Sequence, residues 1–472
     1  MAVNTAVLEA VPGVRPGTFL GHPRGLFVLF FTEMWERFSY YGMRSLLLLY
    51  MVDHLFIRPD VGQRVLGFTV VKRALEFMLG PLAVQPLSSE IYGLYTGLVF
   101  FTPFFGGMLA DRVLGQRKTV ILGAVLMAIG HFLMASEHMF FLALMFLIAG
   151  NGAFKPNIST QVGLLYPEGD PRRDGAFTIF YMGINIGAFF SPLVCGTLGQ
   201  TIGWHYGFGA AGVGMVTGLC LYLWGNKYLA PDVLTQRRAA QVVQAVKVPN
   251  ERITGNEWLR VLVLCVTCLL VSLFWAVFEQ QGNTMQLWAD RNTNWALGGI
   301  RIPSTWFQAF NPFWIFTLAP LLNIVWAKQA ARGREPASLT KMGFGCVLLG
   351  MAFMIMIAAS QGMTPETRRS VLWLVATTFV VTVGELYLSP VGLSFVTKVA
   401  PARMVSMLMG IWFLSNFLGN YFAGHLGAYW EKIPHAQFFG LMAALGIGAG
   451  VAMLVLSRPM NKIVARHERK TA

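Results

Sequence analysis

Charged residues are scarce in this chain. Asp, Glu, Lys and Arg make up 12% of its 472 residues, hydrophobic residues make up 55%, and the mean hydropathy is +0.56. This composition is wrong for a soluble globular protein and predicts a polytopic helical membrane protein. The net charge of +14 does not indicate nucleic-acid binding, because the basic residues lie in short loops between apolar runs.

Disulfide, metal and catalytic motifs are also missing. Five cysteines, an odd number, all fall in apolar runs, so no disulfide framework is expected. The Cys265-x-x-Cys268 pair has no second ligand pair nearby for a metal. No H-E-x-x-H motif, no paired aspartates on facing spans and no activated Ser or Cys with a nearby His are found. We therefore expect neither an enzyme nor a bound cofactor.

The apolar runs are arranged as six, a polar linker and six more. They lie at about 26–52, 87–110, 119–136, 139–161, 175–199 and 206–228, and then at about 258–288, 307–330, 340–360, 369–398, 403–429 and 436–457. Crossing a bilayer takes about 20 residues, so twelve transmembrane helices are predicted. The predicted domains are a six-helix bundle at 1–229, a cytoplasmic linker at 230–257, and a six-helix bundle with a basic tail at 258–472.

The loops set the predicted orientation. Most Lys and Arg residues fall in loops on one side, which predicts that both termini lie in the cytoplasm of a multi-pass cell-membrane protein. No cleavable signal peptide is expected, since the first 24 residues lack an apolar core.

Four charged residues interrupt the first apolar run, namely Glu33, Glu36, Arg37 and Arg44. Together with Tyr40 they share a helical stripe about 100° wide. Each charge costs roughly 2.5–3.5 kcal/mol at the centre of a span, so the stripe is expected to face a wet cavity or another charged helix. Glu33 and Arg37 are predicted to pair, because they are four residues apart on one helix.

Three more charges lie inside later runs. Lys155 adds a cation to the first half, whereas Glu279 and Glu385 put only carboxylates into the second half. A cavity between the halves would then be positive on one wall and negative on the other, which suits a zwitterion such as a short peptide or an amino acid. Substrate binding to a cation would release a neighbouring Glu to take up a proton, which couples the two ligands. His131 and His425 are expected to pack or cap rather than relay protons.

Together these residues resemble the proton-coupled oligopeptide transporters, the POT or PTR family of the major facilitator superfamily. The first signature is E-x-x-E-R-F-x-Y-Y-G at Glu33–Gly42. The other matching elements are F-Y-x-x-I-N-x-G ending at Gly187, the element around Lys155-Pro156, F-W-x-x-F-E-Q-Q at Glu279, and G-E-x-x-x-S-P at Glu385. The resemblance covers both halves of the chain and implies the major facilitator fold.

The resemblance also implies a function and roles for individual residues. It implies an alternating-access symporter that imports di- and tripeptides with protons as the coupling ion. Arg44 and Lys155 would bind the peptide carboxylate, and Asn311 with Glu385 the amino terminus. The remaining candidates are Glu33, Glu36, Arg37 and Glu279 for proton coupling, and Asn185, Tyr40, Trp275 and Ser389 for the substrate pocket. The expected partners are the peptide, protons and membrane lipid, and a monomer is expected.

Two departures from the family pattern are expected to matter. The linker at 230–257 is too short and polar for the two extra helices of many bacterial members, and Phe100 stands where many members have a Tyr. The alternatives are a relative that moves nitrate or another small metabolite and, in other classes, an intramembrane enzyme or a peptide sensor.

Overall fold

The computed structural model describes residues 17–167, 170–232, 255–364, 366–400 and 404–471, and these residues are mostly helical. The described strands are each two residues long and form three pairs: β1 (Thr18–Phe19) with β2 (His22–Pro23), β3 (Thr293–Asn294) with β6 (Arg369–Ser370), and β4 (Ala296–Leu297) with β5 (Ile300–Arg301). The β3–β6 pair is parallel and the other two are antiparallel. The charged side chains therefore have to be positioned by helices.

The helices of the first half follow the predicted runs. In order they are α1 (Arg24–Tyr50), α2 (Val61–Arg64), α3 (Phe68–Leu79), α4 (Val84–Phe101), α5 (Pro103–Leu109), α6 (Gln116–Leu133), α7 (Phe140–Leu164), α8 (Arg172–Ser191), α9 (Thr197–Thr201) and α10 (Trp204–Gly225). These helices are interrupted or extended by short turns of other helical types. Three of the turns are π-helical (Met51–Leu55, Ala110–Leu114 and Pro192–Gly196), and two are 3-10 turns (Glu137–Met139 and Asn226–Tyr228).

The second half continues in the same way. Its helices are α11 (Gly255–Phe278), α12 (Thr284–Asn292), α13 (Phe310–Ala331), α14 (Ser338–Ser360), α15 (Leu372–Val399), α16 (Val405–Gly427) and α17 (His435–Thr471). A 3-10 turn at Glu279–Gly282 separates α11 from α12, and another lies at Ser304–Ala309. The predicted run at 258–288 is thus broken at Glu279, one of the candidate residues.

Within the described residues, nine of these helical stretches are long and apolar enough to cross a membrane. The other three predicted runs also coincide with helices, namely α1, α6 and α16. Of these, α1 is 27 residues long and carries the four ionisable residues Glu33, Glu36, Arg37 and Arg44, so its composition departs from that of an ordinary span. Helices occur at all twelve predicted positions, and length and composition support nine of them as spans.

The chain divides into two compact units. The first contains Met1–Leu47, Arg58–Thr69 and Phe101–Pro249, and the second contains Leu48–Ile57, Val70–Phe100 and Asn250–Ala472. The predicted bundle boundaries at 1–229 and 258–472 remain a prediction, and most of the predicted linker at 230–257 lies outside the described residues.

Small residues let helices approach closely inside each unit. In the first unit, a Cβ added to Gly123 of α6 would lie 2.6 Å from the Gly150 carbonyl oxygen of α7. In the second, a Cβ on Gly345 of α14 would lie 2.6 Å from the Gly384 carbonyl oxygen of α15. These contacts exclude larger side chains, and small residues at helix crossings are a common packing device in membranes. Gly384 precedes Glu385, so this packing also positions a candidate residue.

Candidate functional site

The first unit holds a buried ionic cluster on one turn of α1. Glu33, Glu36 and Arg37 are each no more than 3% exposed. The Arg37 guanidinium donates hydrogen bonds to both carboxylate oxygens of Glu36, one of them from Nη2 to Oε1 at 2.7 Å. Its Nε lies 3.3 Å from Glu33 Oε1, which confirms the predicted pair. One guanidinium thus contacts two carboxylates, and bidentate geometry of this kind is the strong form of such pairing.

Helix α7 completes the cluster from the opposite side. The Asn151 side-chain amide donates to Glu36 Oε1 at 3.3 Å. One turn further along the helix, Lys155 is close enough to Glu33 and Glu36 for charge attraction and to Arg37 and Arg44 for repulsion. Among the described residues, buried Glu33 Oε2 accepts no hydrogen bond. The cluster therefore contains a carboxylate oxygen with spare capacity for a proton.

Aromatic rings cover the cations of α1. The Arg37 guanidinium carbon lies 5.1 Å from the centroid of the Tyr40 ring, and that of Arg44 lies 6.0 Å from the Tyr41 ring. The two Tyr rings meet edge to face with centroids 5.1 Å apart. Both cation distances are within the range of a cation–π attraction, which helps keep a guanidinium in a poorly solvated place.

The F-Y-x-x-I-N-x-G element lies on α8, and its glycine packs against α1. A Cβ on Gly187 would collide with the Met34 carbonyl of α1, so the glycine permits the close approach of the two helices. The Asn185 side chain is buried, and its amide donates to the Tyr181 carbonyl of its own helix at 3.0 Å. Asn185 therefore lies on the helix that packs against the cluster, and its described hydrogen bond stays within α8.

The second unit brings two predicted acids together. The Asn311 amide of α13 donates to Glu385 Oε2 of α15 at 2.7 Å and to Thr382 Oγ1 at 3.1 Å. Glu279, at the start of the 3-10 turn after α11, is 3% exposed and is close enough to Glu385 for charge repulsion. Three helical segments thus converge on a site that holds two carboxyl groups and the Asn311 amide.

Three further candidates lie in the second unit. Trp275 is half-buried, packs edge to face on Phe278 at 5.3 Å between centroids, and has an indole N–H without a hydrogen-bond partner among the described residues. Ser389 is half-buried on α15, one turn after Glu385. Phe100 is half-buried near the end of α4, and its ring has no hydroxyl to offer.

Sequence reasoning missed one buried acid. Glu90 of α4 is 1% exposed, and its Oε1 lies 2.9 Å from Nδ1 of His425 on α16. Hydrogen bonds from Gln85 to the Gly427 carbonyl at 3.0 Å and from Ser89 to Asn283 at 2.7 Å lie beside this pair. The available signal was an acid inside the apolar run at about 87–110. The prediction that His425 packs or caps rather than relays protons is compatible with this hydrogen bond to Glu90.

His131 occupies a different environment. It is 1% exposed on α6, and its Nδ1 has no hydrogen-bond partner among the described residues. That His131 packs rather than relays protons stays a prediction.

Comparison with known proteins places these features in context. A family model described as POT family matches residues 117–248 and 232–442. An uncharacterised transporter, YclF, of Bacillus subtilis is 35% identical over 96% of this chain and 97% of its own length. The peptide transporter YePEPT of Yersinia enterocolitica is 33% identical over 94% of this chain and 96% of its own. A di-/tripeptide transporter of Lactococcus lactis is 30% identical over 95% of this chain and 97% of its own.

Solved structures agree with these relatives. A crystal structure of a peptide transporter POT in complex with sulfate superimposes with a TM-score of 0.81 at 32% identity, covering 97% of this chain and 99% of the other. A POT family transporter in complex with a thioalcohol-conjugated peptide gives a TM-score of 0.79 at 28% identity, covering 95% and 99%. The similarity extends over nearly the full length of both chains.

Proposed function

The chain belongs to the POT family, and from that premise we propose that it is a proton-coupled symporter that imports di- and tripeptides by alternating access. It is a peptide transporter with the major facilitator fold. The observation that carries the proposal is the buried cluster of Glu33, Glu36 and Arg37 with Lys155 beside it, since ionisable residues inside membrane spans are costly and usually mark a functional site.

We propose that the two ends of the peptide are recognised by different clusters. Lys155 and Arg44, two partly buried cations of the first unit, bind the peptide carboxylate. Glu385 binds the peptide ammonium group, and Asn311 holds the Glu385 carboxylate in place through its 2.7 Å hydrogen bond. Charge-assisted hydrogen bonds of this kind are about twice as strong as neutral ones and give a preference for zwitterions.

Proton coupling is proposed to depend on Glu33. Its Oε2 accepts no hydrogen bond from the described residues, while its Oε1 shares Arg37 with Glu36. When the peptide carboxylate draws Lys155 away, Glu33 loses an attractive charge and takes up a proton. Release of peptide and proton on the inner side restores the cluster. The two ligands are thereby coupled through one shared cation.

The remaining candidates are proposed to shape the pocket. Tyr40 and Trp275 supply aromatic surface, and the Trp275 indole N–H is available to a peptide carbonyl. Asn185 and Ser389 supply further polar contacts to the peptide. Glu279, which repels Glu385, joins Glu36 and Arg37 in the coupling set.

We further propose that the protein is a monomer in the cell membrane with both termini in the cytoplasm, that it is not an enzyme, and that it needs no cofactor besides protons. The supporting facts are the membrane-transporter family and the nine spans of the described chain. A carrier of nitrate or another small metabolite is the runner-up, and competition by unlabelled dipeptide separates the two.

The direct test is uptake of labelled dipeptide into liposomes that contain the purified protein. An imposed inward proton gradient is expected to drive accumulation that unlabelled di- and tripeptides suppress and nitrate does not. Accumulation without dependence on the gradient would overturn proton coupling, and suppression by nitrate alone would overturn the assignment of the substrate.

Glu33→Gln isolates the coupling step. The neutral amide cannot exchange a proton, so gradient-driven accumulation is expected to disappear. Counterflow of peptide for peptide needs only binding and the conformational change, and it is expected to survive. Asp60→Asn, an exposed acid of the same unit, is the matched control and should keep both activities. Gradient-driven accumulation by Glu33→Gln at the wild-type level would refute the role of Glu33.

A further inference from the structure

An apolar groove lies on the outside of the first unit, between the start of α1 and the end of α10. Its volume is about 350 Å³, and its walls include Phe27, Phe31, Leu221 and Trp224. Phe31 and Trp224 are 46% and 66% exposed, so the groove opens to the surroundings of the protein. None of these residues belongs to the ionic cluster around Arg37.

The groove is formed by specific packing. The β1–β2 hairpin turns the chain back on itself, and Phe19 meets Phe27 edge to face with centroids 4.9 Å apart. The Arg24 backbone N–H donates to the Gly17 carbonyl at 3.1 Å, which closes the hairpin against α1. Gly25 of α1 packs against the Tyr228 carbonyl, so α1 and the 3-10 turn that follows α10 approach each other closely.

Two cations stand at the mouth of the groove. Arg24 is one of its lining residues and is exposed, with its guanidinium carbon 6.0 Å from the Tyr228 ring centroid. The Lys227 ammonium lies 5.3 Å from the Trp224 ring and 5.2 Å from the Tyr228 ring. Both rings line the groove. Cation and aromatic residues therefore share one end, and aliphatic and aromatic walls form the rest.

Within the described residues, neither of these two cations has an acidic partner. In the part of the chain that the structure describes, no carboxylate pairs with Arg24 or Lys227, whereas Arg64 and Arg172 of the same unit pair with Asp60 and Asp170. An arginine and a lysine held around one aromatic ring, with no acid to neutralise them, attract an anion from outside the chain.

We propose that this groove binds an anionic phospholipid. One acyl chain lies along the apolar walls between α1 and α10, and the phosphodiester lies between Arg24 and Lys227. The predicted topology places this end of both helices at the cytoplasmic leaflet, where anionic lipids concentrate and basic sites between helices bind their headgroups. A choline or ethanolamine headgroup would carry its own cation to two protein cations, so net-anionic lipid is favoured over zwitterionic lipid.

Lipid retention by the purified full-length chain tests the proposal. The detergent-solubilised protein is offered equal amounts of phosphatidylglycerol and phosphatidylcholine with identical acyl chains, and the retained lipids are counted by native mass spectrometry. The wild type is expected to retain phosphatidylglycerol with a preference of about tenfold, which corresponds to about 1.4 kcal/mol. Equal retention of the two lipids would overturn the proposal.

Variants assign the preference to this groove. Arg24→Gln combined with Lys227→Gln is expected to reduce the preference to near unity. Lys118→Gln, which removes an exposed lysine of the same unit outside the groove, should leave it unchanged. Leu221→Trp is expected to fill the groove and lower retention while keeping both cations. An unchanged preference in the double variant, with elution and melting as in the wild type, would place the lipid elsewhere.

A final comparison separates a lipid from a free phosphate. Glycerophosphate, which has the anionic headgroup without acyl chains, is expected not to displace bound phosphatidylglycerol at equal concentration. Displacement by glycerophosphate would mean that the cations alone bind the anion and that the apolar walls contribute nothing. The readout is lipid retention, so the outcome does not depend on the transport function.

Discussion

The charged groups of the two units are compensated in different ways. In the first unit, Arg37 contacts Glu33 and Glu36 within one helix, and Lys155 adds a second cation from α7. In the second unit, Glu385 is held by an amide from Asn311 and is repelled by Glu279. Within its own unit, Glu385 has no cationic partner among the described residues. In the first cluster carboxylates contact cations, whereas Glu385 is held by a neutral amide and lies near a second carboxyl group.

This difference indicates what each cluster is suited to bind. A balanced cluster can exchange one of its charges for a ligand or a proton, because breaking one contact leaves others in place. An unbalanced carboxylate in a poorly solvated place needs a cation from outside or a proton. The ammonium group of the proposed peptide substrate is such a cation.

The largest expected effect comes from Arg37→Gln. The substitution leaves Glu33 and Glu36 buried without the guanidinium that both contact, and breaking a buried pair from one side typically costs about 3–5 kcal/mol. We expect a lower melting temperature in detergent and loss of gradient-driven uptake. Thermal unfolding monitored by fluorescence and liposome uptake measure the two effects.

A double variant checks the cause of that loss. Glu36→Gln with Arg37→Gln removes both members of the bidentate pair, so most of the stability is expected to return while uptake stays absent. A double variant that melts as low as the single one would mean that the charge balance of the cluster is not what stabilises α1.

The next effect concerns the second unit. Glu385→Gln removes the proposed partner of the peptide ammonium group and keeps the side-chain shape, so dipeptide affinity is expected to fall about tenfold, or about 1.4 kcal/mol. An N-acetylated dipeptide has no ammonium group, and its weak binding should be unchanged by the substitution. Calorimetric titration of both ligands measures this. An equal loss for both would mean that Glu385 does not bind the amino terminus.

How well the sequence predicts a contact depends on how far apart the two residues are along the chain. The α1 cluster is local, since Glu33 and Arg37 are four residues apart and helical geometry alone brings them together. The helices at all twelve predicted positions follow from hydropathy for the same reason. The Glu90–His425 pair joins residues 335 positions apart. Nothing in the local pattern around either residue specifies which helices meet, so this pair could not be predicted from one sequence.

A smaller effect is expected at Glu90, an acid of the second unit that, unlike Glu385, contacts a basic side chain. The test measures how much that contact stabilises the protein. Glu90 Oε1 contacts His425, which is 39% exposed in its side chain. His425→Asn keeps a hydrogen-bond donor for Glu90 and is expected to cost less than His425→Ala, which should lower stability by about 1 kcal/mol. Melting temperatures of the two variants measure this. Equal losses would show that packing, rather than the contact with Glu90, accounts for the cost.

The smallest expected effect uses a partly exposed ion pair for comparison with the buried Arg37 cluster. Arg172 Nη2 at the start of α8 contacts Asp170 Oδ2 of the preceding loop at 2.7 Å, and the Arg172 backbone N–H donates to Asp170 Oδ1 at 2.9 Å. The side-chain hydrogen bond from Arg172, followed by the backbone one, holds the pKa of Asp170 below its usual value. A lowered folded-state pKa means that the stabilisation is present at neutral pH and is lost as the pH falls through that pKa.

Asp170→Asn is therefore expected to lower stability at pH 7 by less than about 1 kcal/mol, as is typical of an ion pair that water still reaches. The difference from the wild type should shrink as the pH falls through the folded-state pKa of Asp170, because the protonated side chain is as neutral as the amide. Melting temperatures of both proteins at pH 7 and over a series of acidic pH values measure this. If Asp170→Asn cost as much as Arg37→Gln, the burial of the Arg37 cluster would not account for the larger loss expected there.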